Sequence, residues 1–292
     1  MSTSHEVTRV GVVGCGLMGS GIAEVSARAG LDVVVIEADE PAVHAGRSRI
    51  EASLAQAVRR GKLSDAGRAE TLDRIRVTWE PDELVDRQLV GEAVPEVEAT
   101  KLDVFRTIDK VVADEGAVLA SNTSSIPIMK LAMATRRPEH IIGIHFFNPV
   151  PVLPLVELVP SLLTSPAVVE VASSFASDTL GKHVIRSQDR AGFVVNALLI
   201  PYLLSSIRML ESGFATAEDI DTGMVQGCAH PMGPLALADL VGLDTVMAVA
   251  ASMYEEFKEP LYAPPPMLMR MVDAGLLGRK SGRGFHQYPP PG

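Results

Sequence analysis

Residues 7–39 read VTRVGVVGCGLMGSGIAEVSARAGLDVVVIEAD, and the order of residue types in this stretch predicts the architecture. The run that contains Val10, Val12 and Val13 is rich in β-branched residues, as in a strand buried on both faces of a parallel sheet. A glycine-rich turn follows, and then a segment with helical spacing that stops at Gly30. The apolar run LDVVVIE predicts a second strand. Strand, turn, helix and strand in this order predict the opening of an α/β sheet.

The glycine turn has the spacing G-x-G-x-x-G, formed by Gly14, Gly16 and Gly19, with Leu17 and Met18 between the last two. In a dinucleotide-binding turn, the first glycine allows the tight bend and the second lets the backbone approach a pyrophosphate. The third lets the helix pack closely on the strand. The N-terminus of the helix that follows offers backbone N–H groups to phosphates, so these five positions are predicted to bind the cofactor.

An acidic residue, Glu37, ends the second strand 18 residues after Gly19. A carboxylate at this position accepts hydrogen bonds from the adenosine ribose hydroxyls and repels a 2′-phosphate. No arginine directly follows Glu37. The sequence therefore predicts NAD, in preference to NADP, as the cofactor.

Alternation of strands and helices continues through the first part of the chain. The predicted strands lie in RQLVGEAVPE, AVLASNTSS, HIIGIHFF and LPLVELV, and the segment EATKLDVFRTIDKVVAD has helical spacing. This pattern predicts a Rossmann-type doubly wound sheet over residues 1–188, with ligands bound at the carboxyl ends of the strands. The polar run SNTSS at 121–125 and His145 both lie near such ends.

Beyond GKHVIRSQDRAG the strand signals stop, and helical segments broken by glycine and proline follow. We therefore predict that residues 189–292 form an all-helical domain for substrate binding and dimerisation. Its first helix, in FVVNALLIPYLLSSIRMLESG, is apolar on nearly all sides and predicts heavy burial. A helix of this kind in a small domain predicts a homodimer.

Composition narrows the class of protein. The chain has 292 residues and a net charge of −10, which argues against binding to a nucleic-acid backbone. Its two cysteines and its histidines form no metal-ligand spacing, so no metal is predicted. No apolar run approaches the length of a membrane span, and MSTSHEVTRV lacks the apolar core of a signal peptide. We expect a cytoplasmic protein without a membrane partner, with an unstructured tail in the final YPPPG.

The run HIIGIHFFNPVPVLPLVELV at 140–159 is almost wholly apolar, yet it contains His145 and Glu157. A buried imidazole or carboxylate is costly unless it is paired, so the two side chains either satisfy each other in the core or perform chemistry. Because the pair is predicted at the sheet edge where nicotinamide would bind, we favour a general base held in one tautomer by a carboxylate. Two other proton-transfer schemes fit poorly. The pattern Tyr-x-x-x-Lys in YEEFK lies in the helical part, and Asn196 has no lysine near it.

The chain resembles the short-chain L-3-hydroxyacyl-CoA dehydrogenases, and among them it is most similar to the actinobacterial 3-hydroxybutyryl-CoA dehydrogenases. The resemblance runs in order from about residue 8 to residue 288 through GVVGCGLMGSGIA, EAVPE, LASNTSS, HFFNPVPVLPLVELV, DRAGFVVNALLIPYL, HPMGP, DLVGLD and GRKSGRGF. Three positions depart from the family pattern, namely Gly91 for an aliphatic residue, Arg190-Ala191 for Thr-Pro, and Ala197 for a basic residue.

The resemblance implies a role for each matching residue. It makes His145 the general base and Glu157 its partner. Ser124 and Asn196 would bind the reacting oxygens of the substrate, with Ser124 also close to the cofactor and to CoA. Further cofactor contacts are implied for Glu96, Lys101, Asn148 and Lys280. Ser53 and Arg60 match the helix that meets CoA, although a solvated helix face explains this basic segment equally well.

The implied activity is NAD-dependent interconversion of (S)-3-hydroxyacyl-CoA and 3-oxoacyl-CoA, with 3-hydroxybutyryl-CoA and acetoacetyl-CoA as the favoured pair. Two alternatives stay open. One is a related dehydrogenase that acts on a sugar acid or on a hydroxyacyl group held by a carrier protein. The other is a non-catalytic relative that kept the NAD fold.

Overall fold

A computed structural model describes residues 7–289 of the chain. Residues 290–292, which hold most of the predicted tail, lie outside the described residues, as do residues 1–6. The chain divides into two compact units, the first ending at Arg190 and the second beginning at Ala191. This division falls two residues after the predicted one, and each unit is described separately below.

The first unit is built on one eight-stranded sheet. Its strands are β1 Arg9–Val13, β2 Asp32–Ile36, β3 Ile75–Thr78, β4 Leu89–Glu92, β5 Val118–Ser121, β6 Ile141–Phe146, β7 Leu155–Pro160 and β8 His183–Arg186. The order across the sheet is β3-β2-β1-β4-β5-β6-β7-β8. All neighbours are parallel except β6 and β7, which are antiparallel.

Six α-helices cover this sheet: α1 Leu17–Arg28, α2 Glu40–Arg59, α3 Asp65–Asp73, α4 Glu98–Val111, α5 Ile128–Ala132 and α6 Pro166–Ser174. A π-helical turn, Phe175–Thr179, continues α6. Short 3₁₀ turns lie at Pro81–Leu84 and Pro138–His140. The central strands are hydrophobic on both faces because helices pack on both sides. The predicted Rossmann-type sheet is confirmed.

The chain builds β2 and β3 on one side of β1 and then begins β4 on the other side. The loops after β1 and β4 therefore diverge and leave a crevice at the carboxyl edge of the sheet. In doubly wound sheets this switch point is where ligands bind. The fold thus places the glycine turn, which follows β1, next to the polar segment that follows β4.

The two edge strands, β3 and β8, were not among the predicted strands. Each has four residues and includes exposed charged side chains, so neither shows a continuous apolar run. Short strands with charged side chains are typical of sheet edges, where one side of the strand has no neighbouring strand and is exposed to water. The sequence therefore predicted the centre of the sheet better than its borders.

The second unit is helical, as predicted, with α7 Val195–Glu211, α8 Ala217–Cys228, α9 Pro234–Val241, α10 Leu243–Phe257 and α11 Pro266–Asp273. Short 3₁₀ turns lie at Pro260–Tyr262 and Arg279–Ser281. One face of α7 packs into the core through Leu203, Leu204 and Ile207. Within this unit α7 is not buried all round, because Leu198 is 74% exposed.

The segment GRKSGRGF is held by a buried carboxylate on α9. Asp239 accepts hydrogen bonds from the backbone N–H groups of Phe285 and His286 and from the Tyr288 hydroxyl, at 2.9–3.0 Å. A Cβ atom at Gly284 would overlap the Asp239 carboxylate, so this position requires glycine.

Among residues 7–289, no single helix is long and apolar enough to cross a membrane. The pair Pro234–Val241 and Leu243–Phe257, bent by 95°, meets that test of length and composition only when taken together.

Candidate active site

The glycine turn has the geometry that its spacing predicts. Gly14 adopts a φ of +91°, and a Cβ there would lie 2.9 Å from the carbonyl oxygen of Ala93. A Cβ at Gly19 would overlap the carbonyl oxygen of Gly14. At Gly16, by contrast, a Cβ would meet nothing within 4 Å. Gly14 and Gly19 are therefore required by the turn itself, whereas Gly16 leaves open space on the side where a phosphate would approach.

Glu37 lies at the carboxyl end of β2, beside the glycine turn. Its Oε1 atom accepts a hydrogen bond of 2.5 Å from the backbone N–H of Cys15. Burial, together with the Glu37 carboxylate and against the effect of Arg49, raises the pKa of the Cys15 thiol to about 12. Cys15 is therefore a neutral thiol at physiological pH and is unsuited to nucleophilic chemistry.

A cleft of about 850 Å³ lies along the carboxyl edge at the switch point. Its lining includes the following residues from the glycine turn, from the segments after β2, β4 and β5, and from α4: Gly14, Gly16, Leu17, Met18, Glu37, Val94, Glu96, Lys101, Asn122 and Ser124. A dinucleotide needs a helix N-terminus for its phosphates and a carboxylate for its adenosine ribose. This cleft has both, with polar side chains at its other end. The described residues of this unit therefore fit NAD.

Glu96 organises the polar end of the cleft. Its Oε1 atom accepts hydrogen bonds from the backbone N–H groups of Ser124 and Ser125, at 3.0 and 3.1 Å, and from the hydroxyls of Thr123 and Ser125. Its Oε2 atom lies 3.2 Å from Nζ of Lys101. Burial opposes the charge on Glu96, but Lys101 and the two hydroxyls outweigh it and hold the pKa of this carboxyl below its ordinary value.

His145 and Glu157 form a buried pair at the same edge of the sheet. Nδ1 of His145 lies 2.7 Å from Oε2 of Glu157. The two residues are direct partners in the antiparallel ladder of β6 and β7, so their side chains project to the same face. The next residue, Phe146, donates its backbone N–H to Oδ1 of Asn122, a residue of the cleft, at 2.8 Å. This bond ties the end of β6 to the cofactor cleft.

A buried lysine forms hydrogen bonds with the backbone of the connection between β6 and β7. Lys182 is buried, and its Nζ donates to the carbonyl oxygens of Val150 and Leu153 at 2.7 and 2.8 Å. Burial lowers the pKa of Lys182, with a smaller contribution from Arg28. Asn148, in the same connection, is exposed.

The remaining predicted residues lie elsewhere. Ser53, on α2, donates its hydroxyl to Oε2 of the buried Glu24 at 2.5 Å, and Arg60 is exposed at the end of that helix. Asn196, in the first turn of α7, and Lys280 belong to the helical unit, where Nζ of Lys280 pairs with Asp244 at 2.6 Å. Within the first unit, Glu37, Glu96, Lys101 and Ser124 line the cleft with the glycine turn, and the bond from Phe146 to Asn122 links the strand that carries His145 to that cleft.

Sequence reasoning missed Glu92, Asn122 and Lys182. Glu92 binds Lys101, Asn122 binds the end of β6, and Lys182 binds the connection between β6 and β7. Glu92 and Asn122 lie inside segments already singled out, EAVPE and LASNTSS, whereas Lys182 lies in a polar turn with no distinguishing pattern. Among the residues that the structure describes, no group of three or more His, Cys, Asp or Glu side chains could hold a metal ion.

Comparison with known families matches both units. Residues 9–190 match the NAD binding domain of 3-hydroxyacyl-CoA dehydrogenase, and residues 192–288 match its C-terminal domain. The chain belongs to the 3-hydroxyacyl-CoA dehydrogenase family. This membership confirms the resemblance stated above, the NAD cofactor and the class of NAD-dependent oxidoreductase.

Relatives in the 3-hydroxyacyl-CoA dehydrogenase family cover nearly the whole chain. A 3-hydroxybutyryl-CoA dehydrogenase of Mycobacterium tuberculosis is 60% identical over 285 residues, which is 98% of this chain and 100% of the relative. The crystal structure of M. tuberculosis FadB2 has a TM-score of 0.96 at 60% identity and covers 97% of this chain and 100% of its own. The structure of (S)-3-hydroxybutyryl-CoA dehydrogenase PaaH1 from Ralstonia eutropha has a TM-score of 0.91 at 44% identity, with 97% and 100% covered.

Proposed function

We propose that this protein interconverts (S)-3-hydroxyacyl-CoA and 3-oxoacyl-CoA with NAD, and that it favours 3-hydroxybutyryl-CoA and acetoacetyl-CoA. The observation that carries the proposal is the buried His145–Glu157 pair at the cofactor edge of the sheet. The relatives named 3-hydroxybutyryl-CoA dehydrogenase, at 60% and 44% identity over nearly the full chain, support this substrate.

His145 acts as the general base in the oxidation direction. Because Nδ1 is committed to Glu157, proton exchange with the C3 hydroxyl uses Nε2. Glu157 holds the ring in one orientation and stabilises the imidazolium that forms. When bound, NAD supplies the acceptor for the hydride that leaves C3. In the reduction direction His145 returns the proton to the substrate oxygen.

The other residues bind and orient. Ser124, whose backbone N–H is held by Glu96, hydrogen-bonds the reacting oxygen, with Asn196 as a second donor from the helical part. Ser53 and Arg60 contact CoA, for which the arginine suits a phosphate. The cofactor is held by Gly14, Gly16, Leu17, Met18, Gly19, Glu37, Glu96, Lys101, Ser124, Asn148 and Lys280.

The helical part, from about residue 189, binds substrate and forms a homodimer in the cytoplasm. Large apolar side chains on its surface support the dimer, because Leu198 and Phe214 are 74% and 79% exposed in the single chain.

The test measures NADH oxidation with two substrates, acetoacetyl-CoA and an acetoacetyl group on acyl carrier protein. With gulonate, which would be oxidised, it measures reduction of NAD. We expect the highest kcat/KM with acetoacetyl-CoA. A preference for the carrier-bound substrate or for gulonate would replace the proposed substrate with the related one. Binding of NADH without turnover of any of them would make the protein a non-catalytic relative.

A further inference from the structure

Glu92 is the last residue of β4 and is fully buried, at 0% exposure. Its Oε1 atom accepts a hydrogen bond from Nζ of Lys101 at 2.6 Å and one from the backbone N–H of Val94 at 2.7 Å. Its Oε2 atom accepts the Ser121 hydroxyl at 2.6 Å. The Glu92 carboxylate therefore accepts hydrogen bonds from three donors, one of them an ammonium, and these partners offset the cost of burying it.

Lys101 is equally buried and lies between two carboxylates. Besides Glu92, its Nζ contacts Oε2 of Glu96 at 3.2 Å and the carbonyl oxygen of Val94 at 3.1 Å. We call Glu92, Lys101 and Glu96 the acidic triad. One ammonium between two carboxylates leaves this triad with one surplus negative charge.

The triad reaches the cofactor cleft directly. Glu96 and Lys101 line the cleft, and Glu92 lies beneath them. Two other acidic side chains line the same cleft. Glu37 is at the adenosine end and Asp103 is paired with Arg106 at 2.7 Å. The surplus charge at the polar end therefore belongs to the triad, and the burial of Glu92 and Lys101 limits its screening by salt.

We propose that Glu92 is a positioning residue whose charge, acting with Lys101 and Glu96, strengthens the binding of oxidised NAD in the cleft relative to the binding of NADH. The proposal rests on the proposed function for the placement of nicotinamide at the Ser124 end of the cleft. The oxidised nicotinamide ring is a cation and the reduced ring is neutral, so a nearby surplus negative charge stabilises only the oxidised form. Because it favours the oxidised form, the triad favours oxidation of NADH.

Glu92→Gln removes one charge from the triad with little change in shape. At an effective dielectric constant of about 20, a unit charge roughly 10 Å away changes a binding ratio about tenfold. We therefore expect the ratio of the NADH dissociation constant to the NAD dissociation constant to fall about tenfold. NADH is titrated by its own fluorescence, and NAD by competition with NADH.

The double variant Glu92→Gln/Lys101→Met separates charge from packing. It restores one surplus negative charge, carried by Glu96, while it disturbs the buried contacts further. We expect the ratio of its NADH dissociation constant to its NAD dissociation constant to return to within about threefold of the ratio in the unmodified protein. This should hold even if the affinities for NAD and NADH both fall. Glu96→Gln, at the surface of the cleft, is the second route to a neutral triad and lowers the ratio in the same direction.

Asp109→Asn is the matched control. Asp109 is a buried carboxylate on the same helix, two turns beyond Lys101, and is held by Arg136 and Arg137 at 3.0 and 2.9 Å. Its loss should leave the ratio unchanged. An unchanged ratio in both Glu92→Gln and Glu96→Gln, a double variant no closer to the unmodified protein than Glu92→Gln, or an equal shift in Asp109→Asn overturns the inference.

These outcomes are distinct from a failure of the proposed function. The readout is binding of NAD and NADH alone, so an unchanged ratio can coexist with full turnover of acetoacetyl-CoA. A protein that shows the shift in ratio but does not reduce acetoacetyl-CoA would instead overturn the proposed substrate and leave the role of Glu92 in place.

Discussion

His145 and Glu157 show how one register decides the chemistry of a site. The two residues are twelve positions apart in sequence and directly opposite in the ladder of β6 and β7. A shift of one residue in that ladder would turn the Glu157 side chain to the other face of the sheet. The imidazole would then be buried without a carboxylate partner, at a cost on the order of several kcal/mol.

At this scale we predict that His145→Gln lowers kcat for acetoacetyl-CoA reduction by about 10²–10⁴-fold, which is the usual contribution of general acid–base catalysis. NADH affinity should stay nearly unchanged, because the proposed cofactor contacts do not include this side chain. Steady-state kinetics gives kcat, and fluorescence titration gives the NADH dissociation constant. Near-normal turnover in this variant would rule out the assigned base.

The stability of individual helices and strands depends on glycine positions. At some of them a Cβ atom would overlap neighbouring atoms, and at others it would fit without contact. Three glycines at the start of α1 and in the turn before it, Gly14, Gly16 and Gly19, differ in this respect, although all match the same motif. In the sheet, a Cβ at Gly91 would meet only the carbonyl oxygen of Gly11, at 4.0 Å, whereas one at Gly143 would lie 2.8 Å from Cβ of Val159.

The turn predicts different outcomes for two alanine substitutions. Gly16→Ala should leave the melting temperature nearly unchanged and weaken NADH binding at least tenfold, because its methyl group enters open space where the pyrophosphate approaches. Gly19→Ala should lower both the melting temperature and NADH affinity, because the new Cβ overlaps Gly14. Thermal unfolding and fluorescence titration measure the two quantities. Equal loss of stability in both variants would contradict this division of roles.

Gly91 lines a small apolar void with Val10, Leu89 and Phe175. We predict that Gly91→Ala raises the free energy of unfolding of the first unit by about 0.5–1 kcal/mol, the usual penalty of glycine within a strand. Gly143→Ala is the matched control in β6 and should lower it by about 1–3 kcal/mol through overpacking. Urea unfolding compares the two midpoints, and a lower midpoint for Gly91→Ala would show that the void cannot accept a methyl group.

At the scale of the whole molecule, the helical part carries large apolar side chains that are exposed in the single chain. Leu198 and Phe214 project from α7 and from the turn that follows it. Large exposed apolar side chains on an otherwise packed helix are typical of an interface between copies.

We predict that the double variant Leu198→Glu/Phe214→Glu is monomeric, whereas the unmodified protein is dimeric, because two buried charges in an interface are costly. Light scattering after size-exclusion chromatography gives the mass. Leu162→Glu is the control, since Leu162 is 93% exposed in the first unit and its loss should leave the dimer intact. A monomeric unmodified protein would contradict the proposed homodimer.

The sequence by itself determined the features that depend on neighbouring residues. The spacing of Gly14, Gly16 and Gly19 predicts a phosphate-binding turn because each glycine answers a local steric demand. Glu37 follows from the same local pattern, since it ends the next strand. Apolar runs likewise predicted the central strands, which must be hydrophobic on both faces.

Only the tertiary structure decided which distant side chains meet. In the sequence Glu92 is one acidic residue among several, and only the packing of α4 places Lys101 against it. Lys182 likewise belongs to no recognisable motif, and only the fold places it against the 149–153 connection. The antiparallel direction of β7 and the edge positions of β3 and β8 also depend on the assembled sheet. The physical reason is that local backbone geometry is set by adjacent residues, whereas a buried charge is tolerated only where separate elements supply its partners.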